Sequence, residues 1–256
     1  MRIAFVEWPE DLKPEGPAWA VIVAEVADAR ADLLISNELP FGPWIAAEAT
    51  FDAAVAQSSV DAHIRGLAAL AALPVPAVLT SRPVWVGSRL ANEAVAIEDG
   101  QVRPLHRKRF FPAEPGWHET SWYESGIDDF PVTIVGGVGV GVLLCTEAMF
   151  NEHARSYGRK EATLIAIPRA TGDSSIWRTA GQMAAIVSGC YVVSSNRVGA
   201  SPNTPTFAGD GFAYAPDGRL MSTTDAQNRV VTIDIDPALA ARQRTCYPCY
   251  VSETPV

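Results

Sequence analysis

Apolar positions along the chain repeat at two spacings, and the switches between them mark out the elements. MRIAFVEW is a strand-length apolar run, and behind it Trp19, Ile22, Val23 and Val26 recur at i, i+3, i+4 and i+7, one face of a helix. DLLIS returns to strand character. A second helical pattern runs from about Phe51 to Leu73, where Pro74 and Pro76 stop it, and PAVLT follows as a strand. This β-α-β-α-β opening predicts helices packed against sheet faces.

The middle changes character. NEAVAIEDGQVRPL places two strands around an Asp99-Gly100 turn, a hairpin signal, so the sheet is predicted to be mixed. A loop from Lys108 to Phe130, rich in aromatic and turn residues, separates this from a second run of elements. That run reads strand (GVLLC), helix (NEHARSYGRKEA), strand (TLIAIP), helix (IWRTAGQMAAIVSG) and strand (YVVSSN). A closing strand pair, GFAYAPDGR with RVVTIDI, leads into a short helix with Asp236 as N-cap and Pro237 in its first turn. No linker or repeat interrupts the pattern, which predicts one α/β domain over residues 1–256.

Composition narrows the function classes. A chain of 256 residues with 48% hydrophobic side chains can bury a sizeable core. Its formal net charge of -9, without a block of like charges, excludes an electrostatic nucleic-acid footprint. The start, MRIAFVEWPE, has no leader pattern, and no apolar span is long enough for a membrane helix, so a soluble, cytoplasmic protein is expected. The four cysteines are too few and scattered for a disulfide framework, and are expected to be reduced. Cys246 and Cys249 form a C-x-x-C, which suits a redox motif or half a metal site. His63, His106, His118 and His153 lack ligand spacing, however, so a tail carrying two thiols is the simpler reading and no metal is expected.

Cys145 stands out because it sits at the mouth of an apolar run, in GVLLCTEAMFNE, rather than inside it. A thiol needs a nearby base or cation to move it from its usual pKa of about 8.5 before it attacks. Nothing marks a histidine for that task. Glu38 in LLISNELPFG and Lys108 in PLHRKRFFP also follow apolar strands, and strand-end loops of an α/β sheet converge on one edge. Taken singly, a solvated glutamate and a surface lysine are the plain alternatives.

As an ordered set, NELPFG, HRKRFF and LLCTEAMFNEHAR resemble the nitrilase superfamily of carbon–nitrogen hydrolases, whose triad is Glu-Lys-Cys. The resemblance extends through TLIAIPRATG, IWRTAGQMAAIVSGCYVVSSNRVG and FAGDGFAYAPDGRL, and HETSWYESG is similar to the segment carrying a second active-site glutamate, here Glu119. It implies a four-layer αββα sandwich with mixed sheets, commonly a homodimer or higher homo-oligomer, with a tail from about residue 236 contributing to oligomer contacts. It also implies Glu38 as general base, Cys145 as nucleophile, Lys108 with the backbone N–H of Thr146 as oxyanion donors, and Glu119 positioning the substrate nitrogen or the water. No cofactor is implied. The implied reaction is hydrolysis of a small carboxamide to acid and ammonia through a thioester. A nitrile or carbamoyl-amide hydrolase would use the same triad, and a non-catalytic binding protein on this scaffold is the alternative of another class.

Several positions depart from the family pattern: Asn37 and Asn151 stand where proline is frequent, and Val187, Ser188 and Gly189 where acidic and amide residues are usual. Ala148 and Met149 replace the arginines of members that bind a substrate carboxylate, which disfavours carbamoyl-D-amino acids. Phe41, Trp44, Trp117, Trp122, Tyr123, Met149 and Phe150 lie near candidate catalytic positions and predict an apolar acyl pocket, with Arg169 and Trp177 as further candidates. Glu147 is expected to pin the loop after Cys145.

Overall fold

The computed structural model describes residues 1–127 and 129–253. Its first half runs β1 (Arg2–Pro9), α1 (Pro17–Ala29), β2 (Leu33–Ile35), α2 (Ala53–Ala71), β3 (Ala77–Val86), β4 (Arg89–Glu98) and β5 (Gln101–Arg107). Asp52 starts α2 by accepting from the N–H groups of Ala54 and Val55 at 2.7 and 3.0 Å, a cap worth about 1 kcal/mol. The loop after β5 contains a short helix, α3 (Glu119–Trp122), which the aromatic character of that stretch had hidden. The second half runs β6 (Thr133–Val135), β7 (Val138–Val142), α4 (Asn151–Arg159), β8 (Leu164–Arg169), α5 (Ile176–Ser188), β9 (Tyr191–Gly199), β10 (Phe207–Ala208), β11 (Phe212–Tyr214), β12 (Leu220–Thr223), β13 (Val230–Asp234) and α6 (Pro237–Gln243). Asp236 caps α6 as expected, accepting from Ala238 N–H at 2.9 Å.

Strand alternation sorts side chains into layers. Ile3, Phe5, Leu33, Ile35, Leu164 and Ala166 meet in one buried cluster between two sheets. Their neighbours Ala4, Val6 and Leu34 face outward against Trp19, Ile22 and Val26 of α1 and Leu67 and Leu70 of α2. Ile165 and Ile167 face the other way, onto Ala154 and Tyr157 of α4 and Ala180 and Ala184 of α5. The result is the expected four layers, helix–sheet–sheet–helix.

The two sheets meet along β1, whose residues Ile3–Phe5 pair with β2 while Glu7–Pro9 pair with β9. Strands β1, β2, β3, β7, β8 and β9 are all mutually parallel, and two antiparallel steps through β4 return β5 to the same direction. The residues that follow β2, β5, β7 and β8 therefore leave the sheets at one edge. The closing pair is corrected: GFAY pairs with LMST through the Pro-Asp-Gly turn, and RVVTIDI pairs antiparallel with β1 in the other sheet. Both segments alternate well enough to pair with either, and only the sheet edges available in three dimensions decide.

Candidate active site

The β7 ladder ends at Val142, earlier than the apolar run suggests, and Cys145 opens a short 3-10 turn reaching to Met149. Cys145 is 2% exposed and has φ 51, a left-handed conformation that side chains other than glycine rarely adopt. Such strain, roughly 1–3 kcal/mol, persists only where the surroundings hold it. Glu147 does the holding. Its Oε2 accepts from Leu144 N–H at 2.8 Å, its Oε1 accepts from Arg109 N–H at 2.7 Å, and His106 Nε2 lies 3.0 and 2.9 Å from the two oxygens. One buried carboxylate thus ties the Cys145 turn to the chain just after Lys108, which extends the pinning role expected of it. His106 gave no sequence signal because its partner lies in the turn after β7, distant along the chain.

Lys108 is fully buried, and its Nζ donates to Glu38 Oε1 at 2.8 Å and to Glu119 Oε2 at 2.6 Å. Asn92, on β4, was not foreseen: its Nδ2 donates to Glu38 Oε1 at 2.8 Å while its carbonyl accepts from Lys108 N–H at 2.9 Å. Glu38 Oε2 and Glu119 Oε1 are buried and carry no hydrogen bond from the protein. Burial works against the ammonium, but Glu119 and Glu38 outweigh it and hold Lys108 well above the usual lysine range. Burial raises Glu119 to about 7, with Lys108 opposing and Glu38 adding to the rise. The Cys145 thiol is pushed up by burial and by Glu38, which Lys108 and the Ala170 N–H only partly offset. At rest the sulfur therefore keeps its proton.

Cys145 and Thr146 line a cavity of about 230 Å³, walled by Trp117 and Trp177. Thr146 is the second residue of the turn that Leu144 caps, a position whose N–H has no partner within the turn. Arg169 lies behind the wall: its guanidinium donates to Ser194 Oγ, Thr171 Oγ1 and the Asp210 carbonyl at 2.7, 3.1 and 2.7 Å. It stiffens the loop after β8 and does not line the cavity. The structure also moves other pocket candidates elsewhere. Phe41 packs on Trp19, His63 and the bare face of Gly66, Trp122 packs on Phe51, and Met149 packs against the core beneath α4 and α5. Trp44 donates to Gly116 O at 3.0 Å, Phe150 stacks on Phe110, and Tyr123 is buried against Phe111. Sequence proximity misplaced these because a strand-end loop sends alternate side chains to the core and to the cleft. Glu114 and Asp173, which do line the cavity, lie in polar turns that carried no motif.

The terminal thiols lie away from this site. Cys249 Sγ is 3.3 Å from Ile186 O near the C-terminal end of α5, whereas the cavity meets that helix at Ile176, about 15 Å away along its axis.

Residues 1–245 match the carbon-nitrogen hydrolase family. The chain belongs to that family. Its curated relatives include the N-carbamoylputrescine amidase of Arabidopsis thaliana, 27% identical over 59% of this chain and 56% of that protein. The match thus spans only about half the length of such relatives. Among solved structures of the fold, the carbon-nitrogen hydrolase of Helicobacter pylori G27 superposes with a TM-score of 0.84 at 20% identity, covering 98% of this chain and 94% of that one. A variant of the amidase from Nesterenkonia sp. AN1, carrying the acetamide moiety of fluoroacetamide on its active site cysteine, gives 0.77 at 21% identity, over 96% and 94% of the two chains.

Proposed function

We propose that this protein hydrolyses the C–N bond of a small carboxamide to a carboxylic acid and ammonia through a thioester on Cys145. One observation carries this reading: a fully buried lysine bridging two buried carboxylates, each with one oxygen unpartnered, beside a strained cysteine at the floor of a cavity. Glu38 takes the thiol proton as Sγ attacks the amide carbon. The carbonyl oxygen becomes an oxyanion held by Lys108 Nζ and Thr146 N–H, a pair whose removal costs roughly 3–4 kcal/mol per donor in comparable sites. The tetrahedral intermediate collapses, the C–N bond breaks, and Glu38 returns its proton to the departing nitrogen as ammonia forms. A water then attacks the thioester, Glu38 accepts its proton, and the acid leaves as the thiol re-forms. Glu119, whose raised pKa lets it hold a proton near neutral pH, orients the substrate nitrogen and then the water.

The test is ammonia release from a panel of paired amides and nitriles, with intact-mass measurement of the enzyme during turnover. Amide turnover with an acyl adduct on Cys145, lost in Cys145→Ala, is the expected result. Nitrile turnover alone would replace this reading by a nitrilase, and no adduct from any substrate would favour a non-catalytic binding protein.

The chain is further read as one catalytic domain forming a homodimer or higher oligomer in the cytoplasm. The exposed apolar side chains Ile176 and Met183 of α5, with Tyr247, Tyr250 and Val251 of the tail, support self-association. All four cysteines are free thiols, which fits a reducing compartment. Light scattering across a dilution series tests the association.

A further inference from the structure

Resting on the amidase reading, we infer that Asn92 is a positioning residue for the general base: it divides the two oxygens of Glu38 into an anchored one, Oε1, and a free one, Oε2, that takes the Cys145 proton. The need for such a device lies in the side chain itself. The backbone around Glu38 is fixed, since Glu38 N–H donates to Arg169 O at 3.2 Å and Leu39 N–H donates to Ser81 Oγ at 2.8 Å. The last torsion of a glutamate is broad and two-fold, however, so nothing in the side chain keeps one particular oxygen toward the sulfur.

Both protein donors converge on Oε1, Asn92 Nδ2 at 2.8 Å and Lys108 Nζ at 2.8 Å, while Oε2 is buried without a protein partner. The two donors differ in what they can hold. The Lys108 ammonium is a point charge on a flexible stem, shared here with Glu119, and it can follow a turning carboxylate. The Asn92 amide is planar, on a short stem, and belongs to a strand hydrogen-bonded to β3 on one side and β5 on the other. It therefore sets the carboxylate plane.

The strand itself gains nothing from Asn92. Asparagine is depleted in strands, and this one is fully buried between Ala91 and the apolar run Ala94–Ile97, interrupted only by Glu93, with its own Oδ1 unpartnered. An apolar side chain would avoid that unmet acceptor, so β4 breaks a local rule at this position, as chains do at functional sites. The register points the same way. From Glu98 to Val95, β4 pairs with β5 at a constant offset that would set Arg107 opposite Asn92. A shift between Ala94 and Val95 leaves Leu105 unmatched, and Lys108 comes opposite Asn92 instead, its N–H donating to Asn92 O at 2.9 Å. Opposite residues share a face, so this bulge turns the ammonium and the amide onto one carboxylate. Arg107 goes to the other face, where its Nε donates to Glu93 Oε1 at 2.9 Å.

Asn92→Leu keeps the volume while removing Nδ2 and the unmet Oδ1 together, and it tests the inference in the whole chain, with Asn92→Ala as the second variant should leucine prevent folding. Three quantities are read: the denaturant midpoint, kcat and KM for an amide, and the rate at which iodoacetamide alkylates Cys145. Alkylation requires only that the thiol lose its proton, so it reports on the base whether or not an amide is turned over. In Asn92→Leu, kcat is expected to fall by about tenfold to a hundredfold, the factor that a lost hydrogen bond to a charged group supplies. KM should change by less than about twofold, because other residues line the cavity. Cys145 alkylation should slow by a factor similar to that in kcat, and the midpoint should stay close to native. Native kcat and a native alkylation rate overturn the inference. A lowered midpoint with an unchanged alkylation rate does so too, since it makes Asn92 merely structural, as does a raised KM at native kcat. Absence of amide turnover in the unsubstituted protein would instead sink the amidase reading, and the alkylation rates would still decide the role of Asn92.

Discussion

Replacing Glu147 by glutamine keeps the side chain's shape but turns one of its two acceptor oxygens into a donor, and the surroundings make that change costly. Both oxygens face backbone N–H groups, Leu144 at 2.8 Å and Arg109 at 2.7 Å, inside a fully buried site. Whichever way the amide turns, one N–H is left facing an NH2 group, and an unsatisfied buried donor costs about 1–3 kcal/mol. The carboxylate's contact with His106 weakens as well. Against a typical stability of about 5–15 kcal/mol the variant still folds, with its denaturant midpoint lowered and its m-value unchanged. On the proposed mechanism the effect on turnover is larger than on stability, because Leu144 precedes Cys145 and Arg109 follows Lys108. A shift of about 1 Å between those two groups costs on the order of a hundredfold in turnover. Denaturant titration and kcat measured on one preparation check both halves. Glu147→Gln with native stability and native kcat would refute the clamp, and a lowered denaturant midpoint without a change in kcat would refute its coupling to the site.

Lys108→Ala leaves the Glu38 and Glu119 carboxylates buried without their cation; removing one partner of such a cluster costs about 3–5 kcal/mol, and turnover should vanish, as urea denaturation and ammonia release would show. Cys145→Ala and Glu38→Gln should each abolish turnover, and the double variant should be scarcely worse than either, because groups acting as a unit are not additive. Under limiting iodoacetamide, loss of activity should track alkylation at Cys145, while fully buried Cys190 stays unmodified and exposed Cys246 reacts silently, as peptide mapping would reveal. Stability against pH should be set by two opposed groups. Glu119, raised from 4.5 to about 7, holds its proton only in the folded state across that window and makes stability fall as pH rises, whereas His63, lowered by burial from 6.5 to about 4, stays neutral when folded and makes stability rise over its own window. Glu119→Gln should therefore unmask a stability that climbs between about pH 4 and 6.5; an unchanged profile would show that Glu119 does not titrate there.

What the sequence by itself determined is local. Apolar spacing fixed which stretches become strands and helices, Asp52 and Asp236 sit where their helices start, and the motifs around Glu38, Lys108 and Cys145 singled out three candidate residues that the fold brings into one site. Those signals are legible because periodicity, capping and a cysteine at the end of an apolar run depend on neighbours within a few residues. Tertiary structure decided everything that needed two distant segments to meet. The parallel direction of β2, β7 and β8, restored in β5 by the hairpin through β4, brings Lys108 onto Glu38 across seventy positions, and it places Asn92 and His106 beside the carboxylates they support. It also separated Phe41 and Trp122, which fill the interior, from Trp117 and Trp177, which face the cavity. An aromatic side chain has the same affinity for a core as for a cleft wall, so only the packing of the assembled layers tells the two apart. The same holds for Glu114 and Asp173, ordinary turn residues until the fold sets both on one rim.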